Sequence, residues 1–521
     1  MAPNASTNDG ITYGHPDEAL YLQARKDVLA RQKFLEEHPD RPKTAPKTNP
    51  KLHYIFGKKY DLRSFMDKHP GGRDILEMTA GLVDATPAFE SYHVFANMPS
   101  IMKQLEKYEI TEDDGVPCPG SIYSFDEEGF YKTLKRKVRA KFGGSEDGKE
   151  SLTKATKANY FWAAKVLVQF SLYVTFFSLA FYNHQLSTPV AMLCAALAGM
   201  FKIQWGFTAM HDASHFAIAP RNHWLNSAIT KVWCSISLWN SKIWMFHHAV
   251  VHHSFTGSDL DADLFHANPF VRKSADTPVE GNFELFRYMG DRFGTAGWAV
   301  SLVGLYVFMP GMWLGQVIMY LAYRMDFYKW SELWGMRKFS TVQGYNTKWW
   351  EEVLYSIVVV SILSRANFLV IYSYIVATNI FYSMCIVADH DLVESAITNH
   401  LEVEVYGLDS QPEGEPQNTK LKKPDWGEVQ VRNSTDFVND RFHLFATLHG
   451  SINYQIEHHL FPGMNHIHLP YIAPIVQETC KEFGIPYTTY PSLKDAWYSF
   501  LLVVKAIMTQ EDIIVVESKE E

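Results

Sequence analysis

The sequence predicts an α-helical polytopic membrane protein with a small α+β domain toward its amino terminus. Three observations carry this. Long apolar runs recur after residue 158. A stretch before residue 111 mixes apolar and charged residues with glycine turns. Histidines cluster at the ends of the apolar runs. With 47% hydrophobic and 20% charged residues in 521, there is material for a core and no signature of a disordered chain. A net charge of -9 argues against nucleic acid as a partner, because binding phosphates takes a basic excess. Cys118, Cys194, Cys234, Cys385 and Cys480 are scattered without a CxxC pair, which argues against a disulfide framework or a cysteine zinc site.

Residues 1–50 are polar and proline-containing, with no apolar signal segment, and are expected to be a tail without an ordered fold. Residues 51–110 form the small domain, with turn signals at Gly57 and Gly71-Gly72 and no clearly recognisable strand in KLHYIFGKK. Residues 111–157 are a linker, acidic at Glu112-Asp113-Asp114. They include a basic amphipathic helix over Phe130–Phe142, where Leu134 and Val138 repeat at i, i+4 among Lys135, Arg136, Lys137, Arg139 and Lys141. That helix suits an anionic membrane face or a solvated surface equally. A membrane domain over 158–510 follows, and an acidic tail over 511–521. Phe161–Tyr182 and Val190–Thr208 are long enough to span, joined by the short NHQLSTP. Trp298–Tyr323 is apolar but broken by Pro310-Gly311, and Val353–Leu363 pairs with Phe368–Val387 around Ser364-Arg365.

His69-Pro70-Gly71-Gly72 lies in YDLRSFMDKHPGG, and His93 follows 24 positions later. Two imidazoles from opposite walls can clamp a haem iron, and with both axial sites filled the iron only passes electrons. A turn before a helix accounts for HPGG alone equally well. Three further clusters flank the apolar runs: His211 and His215; His247-His248 and His252-His253; and His458-His459 after Gln455. Spacing of i, i+4 puts His211 and His215 on one helix face, near enough to share a metal, and His248 and His252 repeat it. His253 is rotated by roughly 100° from His252, so adjacent pairs argue for two metal ions straddled by each HH. An all-nitrogen set suits Zn, Cu, Fe or Ni. An electron carrier in the same chain favours iron over redox-inert zinc. His390 ends the last apolar run and is an eighth candidate, or a satisfied core residue. Asp212, Asp389, Asp391 and Glu457 are either carboxylates orienting these rings or helix-end charges. His466 and His468 lack the repeated spacing and are read as outside the site.

HPGG, HDASH (211–215), HAVVHH (248–253), DWGEVQV (425–431) and QIEHH (455–459) together give a resemblance. From about Lys51 onward the chain resembles front-end fatty-acyl desaturases, a membrane histidine-box family, with a fused cytochrome b5 domain. The resemblance implies a membrane desaturase-like fold behind a cytochrome b5-like domain. It implies haem b on His69 and His93, and two non-haem Fe ions on His211, His215, His248, His252, His253, His458 and His459, with His390 carried over as a further ligand. His247 has no clear counterpart and would replace His248 if the register slipped by one. Gln455 stands where other membrane desaturases carry histidine. Three residues between the first histidine and the HH pair of the second box look like members acting at the fifth or fourth carbon, before the sixth or eighth. SDLDADLF departs from the DPD-type run of many relatives.

The activity so implied is insertion of a cis double bond between an existing double bond and the carboxyl end of a long-chain polyunsaturated acyl lipid or acyl-CoA. O2 is the co-substrate, and NADH electrons arrive through a separate cytochrome b5 reductase, since no Gly-rich dinucleotide fingerprint is present. Trp233, Trp239 and Trp244 line the mouth of an acyl tunnel or pack at the membrane interface. A lipid hydroxylase, a sphingolipid desaturase and a membrane-anchored electron carrier are the alternatives. The expected location is the endoplasmic reticulum membrane, multi-pass, with haem domain and boxes facing the cytosol.

Overall fold

The computed structural model describes residues 11–13, 18–37, 48–111, 115, 118–145, 149, 151–220, 223–258, 260–261, 263, 284–304, 307, 348–386, 389–390, 392, 423–438 and 443–508. The linker acids at 112–114, Asp391, the tail 511–521 and most of the Trp298–Tyr323 run lie outside them.

Among the described residues, three helices are long and apolar enough to cross a membrane: Tyr160–Phe181, Thr188–Ser214 and Phe368–Ile386. The first starts at Asn159, whose side chain accepts from the Trp162 amide, and the second has proline in its first turn, where no amide is needed. Trp349–Ser364 is a shorter apolar helix preceding the third span. Arg365 follows it and donates to the carbonyl oxygens of Asn183 (3.1 Å) and Leu186 (3.4 Å), while the Asn367 amide reaches the Thr188 hydroxyl at 3.3 Å. The two hairpin turns are thus fastened together at the end of the bundle away from the histidines. Leu167, Val168, Leu193, Val360 and Leu369 stay exposed on the outside, as lipid-facing side chains do.

The stretch KLHYIFGKK, without an evident strand in the sequence, forms an antiparallel hairpin, His53–Ile55 with Lys58–Tyr60, turning at Gly57. Its alternation is hidden because Tyr54 and its neighbours His53 and Ile55 are all buried. Helices Arg73–Thr79, Thr86–Tyr92 and Met98–Leu105 complete this module.

Two expectations are corrected. The amino-terminal tail holds a helix, Glu18–Glu37, and a strand, Ile11–Tyr13, that pairs in parallel with Tyr487–Tyr490. Ala24 and Val28, one helical turn apart, bury against Leu502, Val503, Ala506 and Ile507, and Arg25 donates to the Ala506 carbonyl. Half of that helix is apolar, but those residues are spread around it instead of lining one face, so no amphipathic stripe marks it in the sequence. The basic helix, Phe130–Lys141, leaves only part of its charged side, such as Lys137 and Lys141, toward solvent and buries the rest. Phe130, Tyr131, Leu134 and Val138 are wholly buried between the amino-terminal module and the third histidine box. Tyr131 donates to the Leu460 carbonyl, and Lys132 and Lys135 converge on Glu90. Its charges serve an internal joint: burying the Glu90 carboxyl would raise its pKa, but the two ammonium groups outweigh that and hold it below the usual carboxylate range.

Candidate metal centre

The second span continues past Trp205 into a wider turn, Gly206–Met210, wound with π-type hydrogen bonds, and His211 follows at once. The second box sits in another π-wound segment, Met245–His252. Such turns are rare, and they re-aim side chains relative to α-helical spacing. The third box is a short helix, Gln455–Leu460.

These elements gather the histidines into two groups. Ligand atoms of His211, His215, His248 and His458 lie within 4.8 Å of one another, and so do those of His252, His390 and His459. His211 and His248 approach Nε2 to Nε2 at 3.0 Å. His253 packs against both groups, its ring centroid 4.5 Å from His215, 4.6 Å from His458 and 4.1 Å from His459. The His458-His459 pair is divided between the groups, whereas His252 belongs to one and His253 lies between both. His211 and His215 share a group, whereas His248 and His252, whose rings stack with centroids 5.5 Å apart, fall in different groups. His248, not His247, enters the cluster. His247 is turned aside to Asp263.

The donor set fits a metal. His215 Nε2, His458 Nε2 and both ring nitrogens of His253 are buried with no hydrogen-bond partner, whereas buried polar atoms ordinarily have one. Burial first, and neighbouring imidazoles second, push His215, His248, His253, His458 and His459 well below the usual imidazole range. The rings are therefore neutral and offer lone pairs.

A surrounding layer orients them. Asp261 faces His252 Nδ1 at 3.1 Å and is held by the Gly257 and Asp263 amides. Gln430, from DWGEVQV, faces His459 Nδ1 at 3.0 Å, and Trp244 stacks on His248 at 4.5 Å. Trp233, Trp239 and Trp244 touch in series and so lead to His248. Gln455 places its amide 2.9 Å from His390 Nε2. Asp212 touches no clustered ring. It accepts from Trp162, Asn465 and His466, pinning the third-box segment to the first. His466 accordingly stays outside both groups, as does His468, which bonds the Lys157 carbonyl. Glu457 also turns away. It accepts from Tyr487, and burial followed by Asp436 raises its carboxyl well above the ordinary range. Asp389 is buried and its carbonyl receives the Thr435 amide. Asp261, Gln430 and Tyr92 went unassigned in the sequence, although SDLDADLF and DWGEVQV mark the first two segments.

His69 and His93 face each other with ring centroids 6.2 Å apart. Two metal–imidazole bonds of about 2 Å plus the ring radii span about the same distance. Each Nδ1 bonds a backbone carbonyl, Gly72 at 3.2 Å and Phe89 at 2.8 Å. Carbonyls only accept, so the proton is on Nδ1 and the lone pair on Nε2 in both rings. A Cβ at Gly71 would lie 2.8 Å from His69 Cε1, so only glycine leaves that ring its place. A cavity of about 920 Å³ opens beside His93, lined by Met98, Met102, Phe125, Lys132, Arg136 and Lys423 among others. The module is docked, not dangling. Arg139 donates to the Val94 carbonyl at 2.7 Å, Leu152 to that of Phe95, and Tyr92 Oη lies 2.7 Å from His215 Nδ1.

Residues 186–491 match the family model "Fatty acid desaturase", and residues 35–113 match "Cytochrome b5-like Heme/Steroid binding domain". An acyl-lipid (8-3)-desaturase of Mortierella alpina is 26% identical over 466 residues, 86% of this chain and 91% of that protein. Another of the same name from Physcomitrium patens is 28% identical over 461 residues, 84% of each chain. The delta(5) fatty acid desaturase A of Dictyostelium discoideum is 24% identical over 463 residues, 86% of this chain and 88% of that protein.

Proposed function

The chain belongs to the fatty acid desaturase family and carries a cytochrome b5-like domain, and from that premise we propose that it is a front-end desaturase of long-chain polyunsaturated acyl groups. It is a membrane-associated oxidoreductase. The observation that carries the proposal is the pair of imidazole groups at the end of the apolar helices, with a bis-histidine module docked against them. We assign His211, His215, His248 and His458 to one iron and His252, His390 and His459 to the other, with His253 between them. His69 and His93 are assigned as axial ligands of haem b. Iron bound there supplies activation of dioxygen, with electrons received from the haem.

The residues contribute placement and exclusion. Asp261 and Gln430 fix the tautomers of His252 and His459, so that their Nε2 atoms face inward. Trp244 closes one side of His248 and keeps water from it. The apolar helices hold an inert acyl chain in one register, which selects the carbon pair that reacts. Two adjacent methylenes each lose a hydrogen, and with two further electrons and two protons dioxygen leaves as two waters. Electrons originate in NADH and enter through a cytochrome b5 reductase. The longer second box and the names of the relatives support the delta-5 position, ahead of delta-4 and then delta-6 or delta-8. Location is assigned to the endoplasmic reticulum, multi-pass, with the histidine face toward the cytosol.

Expression in a host lacking long polyunsaturates, fed one acid at a time, tests this. Products lighter by two hydrogens are expected, while a gain of oxygen marks a hydroxylase. His458→Ala should abolish product while the haem band persists, and retained product overturns the iron assignment.

A further inference from the structure

We propose that Tyr92 is the positioning residue that wires the haem-binding arm to the first histidine group. This rests on the function proposed above and adds a route for the electron. Tyr92 shares a peptide bond with His93. Its hydroxyl donates to the Ala249 carbonyl at 3.0 Å. A tyrosine has one hydroxyl proton, so the contact with His215 Nδ1 at 2.7 Å has the ring N–H as donor and Tyr92 Oη as acceptor. That bond fixes the His215 tautomer and leaves the lone pair on Nε2, the atom buried without a protein partner inside the cluster. Ala249 lies between His248 and His252, so one hydroxyl joins the haem arm, the first box and the second box. The Tyr92 ring also lies nearly parallel to His215, at 14° with centroids 6.2 Å apart, and Phe216 packs edge-on against it at 6.1 Å.

From the His93 ring to the His215 ring the path is covalent through one peptide unit and the tyrosine side chain, with a single hydrogen bond of 2.7 Å as its only break. One electron passes at a time. With haem and iron bound, each transfer along this path would oxidise the haem and reduce a histidine-held iron by one electron, and no proton would leave Tyr92. The reductase then reduces the haem again for the second electron of the turnover.

The test uses the full-length protein carrying haem and iron, without oxygen. The haem is photoreduced by a flash and the decay of its ferrous band is followed. Wild type is expected to show a fast phase that His458→Ala lacks. Tyr92→Phe removes only the hydroxyl. It should keep the haem spectrum and, compared at equal iron content, slow the fast phase about 10-fold or more, the size of effect on activity expected when an outer hydrogen bond to a ligand is lost. An unchanged rate at equal iron content overturns the assignment. If wild type itself shows no phase that depends on His458, it is the di-iron reading that falls.

Discussion

His252 shows how much of this site depends on atoms that are not ligands. Its Nδ1 faces the Asp261 carboxylate at 3.1 Å and Asp263 at 3.5 Å, so the ring presents Nε2 to His390 at 3.2 Å. Asp261→Asn retains the size of the side chain but weakens the charge-assisted bond that sets the tautomer. Iron content or turnover should fall about 10- to 100-fold with an unchanged haem spectrum, measured as iron per protein and product per minute. Full iron and full turnover in Asp261→Asn would remove the carboxylate from the site. At this scale the histidines that cluster were legible and their orienting partners were not. Histidine pairs declare themselves by type and spacing, but Asp261 is one aspartate among three in SDLDADLF. Only the fold decides that 261 turns inward to His252 while 263 meets His247.

At the scale of elements, the decisive device is the π-wound turn before the first box and within the second. Helical spacing predicts His248 and His252 on one face, and their rings do stack there, 5.5 Å apart, while their ligand atoms fall in different groups. Nothing in MFHHAVVH announces that winding, so sequence geometry places the i, i+4 neighbours without saying which group each one joins. The turn before His211 is held in place by Gly450, which ends the helix Leu444–His449 with φ 67° and whose missing Cβ would sit 2.5 Å from the Phe207 carbonyl oxygen. Gly450→Ala therefore carries left-handed backbone strain of about 1–2 kcal/mol plus a backbone displacement that reaches His211. Gly484→Ala, at φ 68° with open space around it, carries the strain alone. Thermal unfolding in detergent should rank Gly450→Ala clearly below Gly484→Ala, with iron lost only from the former; equal behaviour would mean the Phe207 turn tolerates the methyl group. The basic helix makes a second element-scale case. Glu90 is wholly buried between Lys132 and Lys135, and Glu90→Gln strands two cations at a cost of about 3 kcal/mol. The Glu90 carboxyl is held below its ordinary value of 4.5 by those lysines. The joint's contribution is therefore complete above that value and disappears as pH falls through the lower, folded value. Limited proteolysis of the linker should be flat from pH 8 to about 5 and rise only in stronger acid. Protection that weakens already near neutrality would assign the docking to other groups.

For the whole molecule, the sequence divides the chain into an electron-carrying module and a membrane domain but conceals how tightly they join. The joining contacts pair residues far apart in the chain: Glu90 with Lys135, Tyr92 with His215, Arg25 with Ala506. None belongs to a periodic pattern, so none is visible before the chain is folded. Together they bring the amino-terminal strand, the haem-type module, both histidine groups and the final helix to one end of the apolar bundle. The Arg365 clasp ties the two hairpin turns at the other. If the bundle spans the bilayer, helix Met98–Leu105 and the turn around Gln185 must therefore lie on opposite sides. Lys103→Cys and Gln185→Cys, each exposed, can be made in a background with Cys118 replaced by serine. In sealed vesicles with the cytosolic face outward, a membrane-impermeant maleimide should label Lys103→Cys at once and Gln185→Cys only after detergent. Labelling of both before detergent would show that the turns never cross. The apolar helices would then lie along one leaflet, and the acyl chain of the proposed reaction would have to reach the histidine groups from that leaflet's plane instead of along the bundle.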